Sequence, residues 1–218
     1  MIEQRDITAL VLAGGRGTRM GGVDKGLVPF GDTPLALHAA RRIAPQVATV
    51  ALNANRHLET YRAWGFPVWP DTEPGQPGPL AGFLAGLMHC STPWLLTLPC
   101  DSPLFPADLA IRLAAAATEA GAPLAMAAAP DPDALEGGTA PLRTQPVFCL
   151  MHVRLQGELE RFLRSGGRRV QQWSRRYGCA IAAFDQPQDD PRAFANANTP
   201  GELQALHQPA PVSARPRR

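Results

Sequence analysis

Residues 7–25 read ITALVLAGGRGTRMGGVDK, a short apolar run that passes directly into a glycine-rich segment. The apolar run predicts a buried β-strand. The segment after it carries five glycines, two arginines and one lysine. Because glycine permits close approach and positive φ, backbone N–H groups in such a segment can surround phosphate oxygens. The strand and its loop together suit a nucleoside triphosphate site at the edge of a sheet.

Further apolar runs alternate along the chain with longer Ala- and Leu-rich segments that have helical spacing. Strands are predicted at residues 7–12, 48–52, 67–69, 94–98, 124–128, 147–150 and 180–184. Helices are predicted at residues 34–44, 58–64, 80–89, 107–120, 153–165 and 170–177. This alternation predicts a three-layer, Rossmann-like α/β fold with a mostly parallel central sheet. Ligands of such sheets bind beyond the carboxyl ends of the strands, so the residues that follow each strand are the first candidates for a site.

The composition of the whole chain fits one domain, with 218 residues, 45% of them hydrophobic, and a formal net charge of +2. We predict a single domain over residues 1–207, an irregular segment over 129–144, and a disordered tail over 208–218. The balanced charge gives no sign of a nucleic-acid surface. With neither a signal peptide nor a membrane span recognisable, we expect a cytoplasmic protein. The cysteines are too widely spaced for a zinc site and are expected to be reduced thiols: Cys90, Cys100, Cys149 and Cys179.

The glycine-rich segment has the spacing of neither a dinucleotide fingerprint nor a Walker loop. A solvated surface loop is the alternative, which Arg19 and Lys25 make less favourable because they can offset the charge of a departing diphosphate. The stretch LAGGRGTRMGGVDKGL resembles the signature loop of the nucleotidyltransferases that activate sugars, terpenoid precursors and molybdopterin. The resemblance implies that this loop binds the triphosphate and that Lys25 contacts phosphate.

Asp101 ends an apolar run in the stretch LLTLPCDSP and is the candidate metal ligand. One carboxylate suffices for Mg²⁺, which keeps waters and takes further oxygens from the nucleotide phosphates. The alternative is an N-cap or turn role before Pro103. Cys100 has no histidine in the adjacent motif to activate it, so we assign it to packing.

A candidate base and ribose pocket is formed by Asn53, Asp71 and the turn GPLAG at residues 78–82. A carboxylate such as Asp71 can accept hydrogen bonds from the N–H groups on the guanine edge. Asn and Asp after strands are ordinarily turn formers, and this alternative applies to both residues.

Four more stretches, VALNANRH, VWPDTEPGQPGPLAG, LPCDSP and AFANANTPGEL, resemble the molybdenum cofactor guanylyltransferases in the same order. The resemblance implies transfer of GMP from GTP to the terminal phosphate of molybdopterin, with Mg²⁺ as the cofactor. In that family the LAGG and GPLAG forms accompany GTP use, whereas related cytidylyltransferases tend to carry LAAG, so Gly14 and Gly82 favour guanine. Contacts with GTP are expected at Leu12, Ala13, Gly14, Gly15, Lys25, Asn53, Asp71, Gly78, Pro79, Leu80, Gly82 and Asp101.

The phosphate monoester of the acceptor needs cations and polar donors on the far side of the nucleotide α-phosphate. The candidates in the last third of the chain are Arg168, Arg169, Asn196 and Asn198. The alternative for the arginine pair is a solvated helix face. The stretch from Asn198 to Pro200 also fits an N-cap before a last helix that packs Leu203 and Leu206 inward.

The expected reaction is an in-line attack of the molybdopterin phosphate on the α-phosphorus, with Arg19, Lys25 and Asp101 as the catalytic groups. This displacement needs no strong base, so His57 is expected to be a capping or surface residue. The alternatives are a molybdopterin cytidylyltransferase, a sugar-phosphate nucleotidyltransferase, and a noncatalytic GTP-binding protein that delivers the cofactor. We expect a monomer, with GTP and molybdopterin as substrates and molybdoenzymes or their chaperones as recipients of the product.

Overall fold

The computed structural model of the protein describes residues 1–14, 23–72, 78–131 and 140–207. The strands are β1 Ile7–Leu12, β2 Pro29–Phe30, β3 Thr33–Pro34, β4 Thr49–Asn53, β5 Trp94–Pro99, β6 Leu124–Pro130, β7 Leu142–His152 and β8 Cys179–Ala183. The helices are α1 Leu35–Ile43, α2 Leu58–Arg62, α3 Pro79–His89, α4 Leu109–Glu119, α5 Gln156–Arg164, α6 Val170–Ser174 and α7 Pro200–His207. The predictions for Gly15 and Arg19, for residues 132–139 of the irregular segment and for the tail 208–218 lie outside the described residues.

Six strands form the central sheet in the order β4-β1-β5-β7-β6-β8, while β2 and β3 form a separate small hairpin. β1 pairs in parallel with both β4 and β5, and β6 pairs in parallel with β8. β7 runs antiparallel to its two neighbours, β5 and β6. The predicted mostly parallel α/β sheet is therefore confirmed, with one antiparallel strand inserted between its two parallel parts.

Successive strand residues point to opposite faces of the sheet, and each face is covered by helices. On one face, Val11 and Leu98 pack with residues of α1 and α4. On the other face, Leu10 and Leu95 pack with residues of α3, α5 and α6. The result is the predicted three-layer arrangement, which explains why the strands are apolar runs without a polar face.

Two local predictions differ from the structure. The strand predicted at 67–69 is reduced to a single bridge between Leu52 and Val68, because Pro67 begins the segment, Pro70 follows it, and neither can donate to a ladder. The segment 129–144 was expected to be irregular, yet β6 extends to Pro130 and β7 begins at Leu142. Apolar content at the strand centres marked these strands, but cross-strand pairing set their length.

The last helix, α7, begins with an N-cap in the stretch from Asn198 to Pro200, which was the alternative given for this stretch. The Thr199 Oγ1 accepts a hydrogen bond from the N–H of Glu202 at 3.2 Å, which makes Thr199 the N-cap of α7. Leu203 and Leu206 are buried against Phe30 of the small hairpin. Within the described ranges, no helix combines the length and apolar character that a membrane crossing demands.

An ion pair ties α4 to the segment after β8. Arg112 donates to both carboxylate oxygens of Asp189, at 2.7 and 3.0 Å, and its guanidinium lies 3.9 Å from the ring centroid of Phe184. The side chains of Arg112 and Asp189 are only 17% and 11% exposed. The hydrogen bonds from Arg112 are the main reason that the pKa of Asp189 lies below its ordinary value.

We expect Arg112→Ala to lower the free energy of unfolding by about 2 kcal/mol, between the values typical of exposed and buried pairs. Because the pKa of Asp189 is lowered in the folded state, the pair stabilises the protein above the ordinary carboxyl pKa of 3.8 and loses this effect as the pH falls below it. Urea unfolding at several pH values measures both effects. Arg175→Ala, at an exposed position, is the control, and an equal loss in both variants contradicts the prediction.

Candidate active site

The carboxyl ends of β1, β4 and β5 meet at one edge of the sheet. Leu12 is in register with Asn53 of β4 and with Pro99 of β5. Two backbone hydrogen bonds continue the pairing beyond the strands, from Ala13 N to Asn53 O and from Cys100 N to Leu12 O. The loops after these three strands therefore begin side by side, where ligands of parallel sheets bind.

The turn that contains Lys25 is held by the buried carboxylate of the preceding residue, Asp24. Asp24 is 6% exposed, and its Oδ1 accepts from the N–H of Gly26 at 3.1 Å and from the hydroxyl of Tyr61 at 2.7 Å. Burial, and then the bond to Asp24, raise the pKa of Tyr61, so its hydroxyl remains a donor. A Cβ on Gly26 would overlap the Tyr61 hydroxyl. This packing fixes the turn from which the Lys25 side chain projects.

The ammonium group of Lys25 joins two distant parts of the chain. Its Nζ donates to Oδ2 of Asp101 at 3.1 Å and to Oδ1 of Asn198 at 2.7 Å. The side chains of Lys25 and Asp101 are each 20% exposed, so the ion pair is partly accessible to a ligand. Two residues predicted as phosphate and metal contacts thus meet a predicted acceptor residue at one point.

The segment containing Asn196 and Asn198 is fastened to the loop after β5. The N–H of Ala197 donates to the carbonyl of Asp101 at 2.8 Å, and the hydroxyl of the buried Ser102 bonds Oδ1 of Asn196. These contacts cross more than ninety residues of sequence, as the separation of 94 between Ser102 and Asn196 shows. The structure therefore brings both candidate asparagines to Asp101.

A second polar cluster lies over the end of β4. Asn53 is buried, and its Nδ2 donates to the carbonyl of Trp69 at 2.8 Å and to Oδ1 of Asp71 at 3.0 Å. Asn55 Nδ2 donates to the other oxygen of Asp71 at 2.7 Å. Asp71 and Asn53, which were both predicted from the sequence, are therefore direct neighbours.

Two glycines allow the backbone to approach this cluster. A Cβ on Gly82, in the first turns of α3, would lie 2.6 Å from Oδ1 of Asn53 and 2.9 Å from Cδ2 of Leu12. A Cβ on Gly14 would lie 2.9 Å from Nδ2 of Asn55. Gly14 and Gly82 are thus required by close packing against the two asparagines.

The turn before α3 lies next to the backbone of Arg168. Gly78 has φ +108°, a conformation that favours glycine, and a Cβ there would lie 3.9 Å from the carbonyl oxygen of Arg168. Pro79 begins α3, and the Leu80 side chain is buried in the core, so contact with a ligand is open only to its backbone. Arg168 donates to the carbonyls of Leu163 and Gly167 at 2.8 and 2.7 Å, while Arg169 is exposed just before α6. The backbone of Arg168 thus lies beside the start of α3, while its side chain caps the end of α5.

The remaining candidates have ordinary structural surroundings. Cys100 is buried, which raises the pKa of its thiol, and it belongs to the main core as expected. His57 is exposed, has φ +50° and precedes α2, in agreement with its expected capping or surface role.

Four residues that support the candidate site were not predicted from the sequence: Asp24, Asn55, Tyr61 and Ser102. Asp24 and Ser102 directly flank Lys25 and Asp101, and Asn55 lies two residues after Asn53. Adjacency was therefore the only available signal for three of them. Tyr61 lies in α2, where its apolar neighbours predicted packing alone.

The described residues include no group of three or more His, Cys, Asp or Glu side chains that could hold a metal ion. Among the described residues, the carboxylate that pairs with Lys25 is that of Asp101. This carboxylate fits a hard divalent ion that takes most of its oxygen ligands from nucleotide phosphates and water. It does not fit a metal held by protein ligands alone.

Comparison with known proteins gives a consistent assignment. The MobA-like NTP transferase domain matches residues 9–188. A molybdenum cofactor guanylyltransferase of Acidovorax ebreus (strain TPSY) is 60% identical over 206 residues, covering 94% of this chain and 97% of the relative. One of Bordetella pertussis is 52% identical, covering 94% of this chain and 99% of the relative.

Solved structures agree on the fold. Molybdopterin-guanine dinucleotide biosynthesis protein A of Archaeoglobus fulgidus superposes with a TM-score of 0.69 at 18% identity, covering 92% of this chain and 96% of that one. A 4-diphosphocytidyl-2C-methyl-D-erythritol synthase of Anaerococcus prevotii gives a TM-score of 0.69 at 11% identity, covering 94% and 98%. The shared fold is that of nucleotidyltransferases, and the sequence relatives identify the branch: this chain belongs to the molybdenum cofactor guanylyltransferase family, with a MobA-like NTP transferase domain.

Proposed function

We propose that this protein transfers GMP from GTP to the terminal phosphate of molybdopterin, with release of diphosphate. The observation that carries the proposal is the meeting of Lys25, Asp101 and Asn198 at the carboxyl edge of the sheet. We assign phosphate contact to Lys25, the metal to Asp101 and the acceptor to Asn198, and these three side chains form one hydrogen-bonded group. The guanine cluster around Asp71 lies over the end of the neighbouring strand.

The phosphate end of the site uses the donors of Lys25. An ammonium group has three N–H donors, and two of them are engaged by Asp101 and Asn198. The third is available to a phosphate oxygen, where the positive charge offsets the charge of the departing diphosphate. Arg19 is proposed to add a second cation. Mg²⁺, with Asp101 as its protein ligand, supplies further positive charge to the phosphates when bound.

The guanine end of the site offers acceptors to the base. The carboxylate of Asp71 is held by amides and retains lone pairs that can accept from guanine N–H groups. Gly14 and Gly82 leave the space that Asn53 and Asn55 occupy. The contacts expected at Leu12, Ala13, Gly15, Gly78, Pro79 and Leu80 are proposed to come mainly from the backbone around the same cluster.

The acceptor end of the site presents side-chain amides. Asn198 accepts from Lys25 through Oδ1, which leaves its NH₂ group to donate to the phosphate of molybdopterin. Asn196, Arg168 and Arg169 are proposed as further acceptor contacts.

In the reaction, an oxygen of the molybdopterin phosphate forms a bond to the α-phosphorus of GTP while the bond to the bridging α–β oxygen breaks and diphosphate leaves. The attacking oxygen is already ionised near neutral pH, so no protein base is required. The product is proposed to pass to molybdoenzymes or their chaperones.

The test is diphosphate release from GTP, CTP, ATP and UTP with Mg²⁺, each with and without molybdopterin, in its metal-loaded and metal-free forms. Release that needs both GTP and molybdopterin supports the proposal. Release with CTP and molybdopterin, or only with a sugar phosphate, indicates another nucleotidyltransferase. GTP binding without release under any condition indicates a noncatalytic delivery protein. Replacing Mg²⁺ by Ca²⁺ or adding a chelator tests the metal requirement.

Gly82→Ala is expected to raise the KM for GTP by about 10- to 100-fold, because its Cβ displaces Asn53 and with it Asp71. The helix itself is not weakened, since alanine favours helix over glycine by about 1 kcal/mol. Steady-state kinetics and thermal unfolding separate the two effects. Gly157→Ala is the matched control, because a Cβ at this helical glycine meets nothing within 4 Å. A KM like that of Gly157→Ala contradicts the prediction.

A further inference from the structure

Asn55 is an exposed residue that lies two positions beyond the end of β4. Both ends of its side-chain amide bond Asp71. Nδ2 donates to Oδ2 of the carboxylate at 2.7 Å, and Oδ1 accepts from the N–H of Asp71 at 2.8 Å. A turn-forming asparagine bonds backbone groups a few residues away, whereas this pair spans 16 residues. The double contact fixes both the position and the rotation of the carboxylate.

The second oxygen of Asp71 is held in the same way by a different residue. Asn53 donates to Oδ1 at 3.0 Å, while its own amide is anchored on the carbonyl of Trp69 at 2.8 Å. Each carboxylate oxygen thus accepts one amide hydrogen and keeps a further lone pair. The carboxylate is left with one free acceptor position on each oxygen, which matches two adjacent N–H donors of a ligand.

Guanine carries such a pair, its ring N1–H and its exocyclic NH₂, on one edge. Hypoxanthine, the base of ITP, has the ring N–H but lacks the amino group. Bidentate contacts with a carboxylate depend on its orientation more strongly than single contacts do. A carboxylate that rotates freely can therefore bind the shared N–H but loses the advantage of the second donor.

We propose that Asn55 is a specificity-determining positioning residue, which orients the Asp71 carboxylate so that both of its oxygens read the guanine edge. The inference rests on the proposed use of GTP and adds a residue that sets base preference without touching the reacting phosphates. Gly14 belongs to the same arrangement. A Cβ at this position would lie 2.9 Å from Nδ2 of Asn55 and would displace the Asn55 amide. Base selection is thereby linked to the loop that follows β1.

The test compares GTP and ITP binding by calorimetry with Mg²⁺ and no acceptor, in the wild type, Asn55→Ala and Asn55→Asp. The wild type is expected to prefer GTP. Asn55→Ala should reduce the GTP-to-ITP affinity ratio by about 10-fold, mainly by weakening GTP, as expected for one hydrogen bond to a charged group. Asn55→Asp keeps the shape of the side chain but replaces the donor with a like charge, so it should reduce the ratio at least as far.

Thr60→Ala, at an exposed position of α2, is the control and should keep the wild-type ratio. Thermal unfolding shows whether each variant is folded at the assay temperature. Equal weakening of GTP and ITP binding in Asn55→Ala, or an unchanged ratio in both Asn55 variants, overturns the inference, since a merely structural role does not distinguish the two bases. A wild type without GTP preference overturns it together with the guanine assignment. A wild type that selects GTP but forms no product with molybdopterin contradicts only the proposed reaction.

Discussion

Asp101→Asn is expected to lower the kcat for GMP transfer by about 10²- to 10³-fold, the effect typical of losing one group that stabilises transition-state charge. Asparagine keeps an oxygen that can accept from Lys25, but it lacks the negative charge that attracts a divalent cation. The main structural bond of Asp101 uses its backbone carbonyl, which accepts from Ala197 and is unaffected by the substitution. Folding should therefore change little, by about 1 kcal/mol for a partly exposed pair.

Steady-state kinetics over a range of Mg²⁺ concentrations, with thermal unfolding of the same samples, measures both quantities. The dependence on Mg²⁺ should move to higher concentrations in the variant. Asp32→Asn removes a carboxylate from an exposed turn and is the matched control. If activity and stability fall in the same proportion, Asp101 is a structural residue and the metal assignment is wrong.

Lys25→Met is expected to lower kcat by a similar factor of about 10²- to 10³-fold, because it removes the cation that we propose faces the departing diphosphate. Methionine has a similar length and leaves the turn held by Asp24 intact. Lys25→Arg should not restore the activity, since a planar guanidinium cannot reproduce the hydrogen bonds of an ammonium to Asp101 and Asn198. Arg62→Met removes an exposed cation that pairs with Glu59 and is the control.

Lys25 is the only lysine of the chain, which permits a direct measurement. Biosynthetic labelling with [ε-¹³C]lysine leaves the ammonium group and its three N–H donors unchanged and gives one lysine side-chain signal. Addition of GTP should shift this signal, and Asp101→Asn should shift it in the free protein because the two groups are 3.1 Å apart. If saturating GTP leaves the chemical shift of this signal unchanged, Lys25 does not contact phosphate.

Much of the architecture follows from local sequence patterns. Apolar runs bounded by turn residues mark every strand of the main sheet, because burial on both faces demands such runs whatever the order of the strands. These local patterns do not predict which strands pair with each other or in which direction. The antiparallel direction of β7 and the extension of β6 to Pro130 depend on which strand lies alongside, a contact between distant residues.

Some residues of the candidate site were predicted from the sequence, and others were found only in the structure. Lys25, Asp101, Asn53 and Asp71 follow strands or glycine-rich turns, and chain chemistry alone marked them as candidates. Asn55 carried no such mark, because its value lies in a bond to Asp71 and not in its local sequence. The same is true of Tyr61, which reaches Asp24 from α2.

The sequence by itself determined the alternation of strands and helices, the glycine-rich segment after the first strand and the charged residues at the strand ends, since all of these are properties of short segments. Only the tertiary structure decided that Asn198 meets Lys25 across 173 residues, that Asn196 meets Ser102, and that two asparagines orient one carboxylate. The physical reason is that hydrogen bonds of side chains act over about 3 Å, so their partners are chosen by the packing of the sheet and not by distance along the chain.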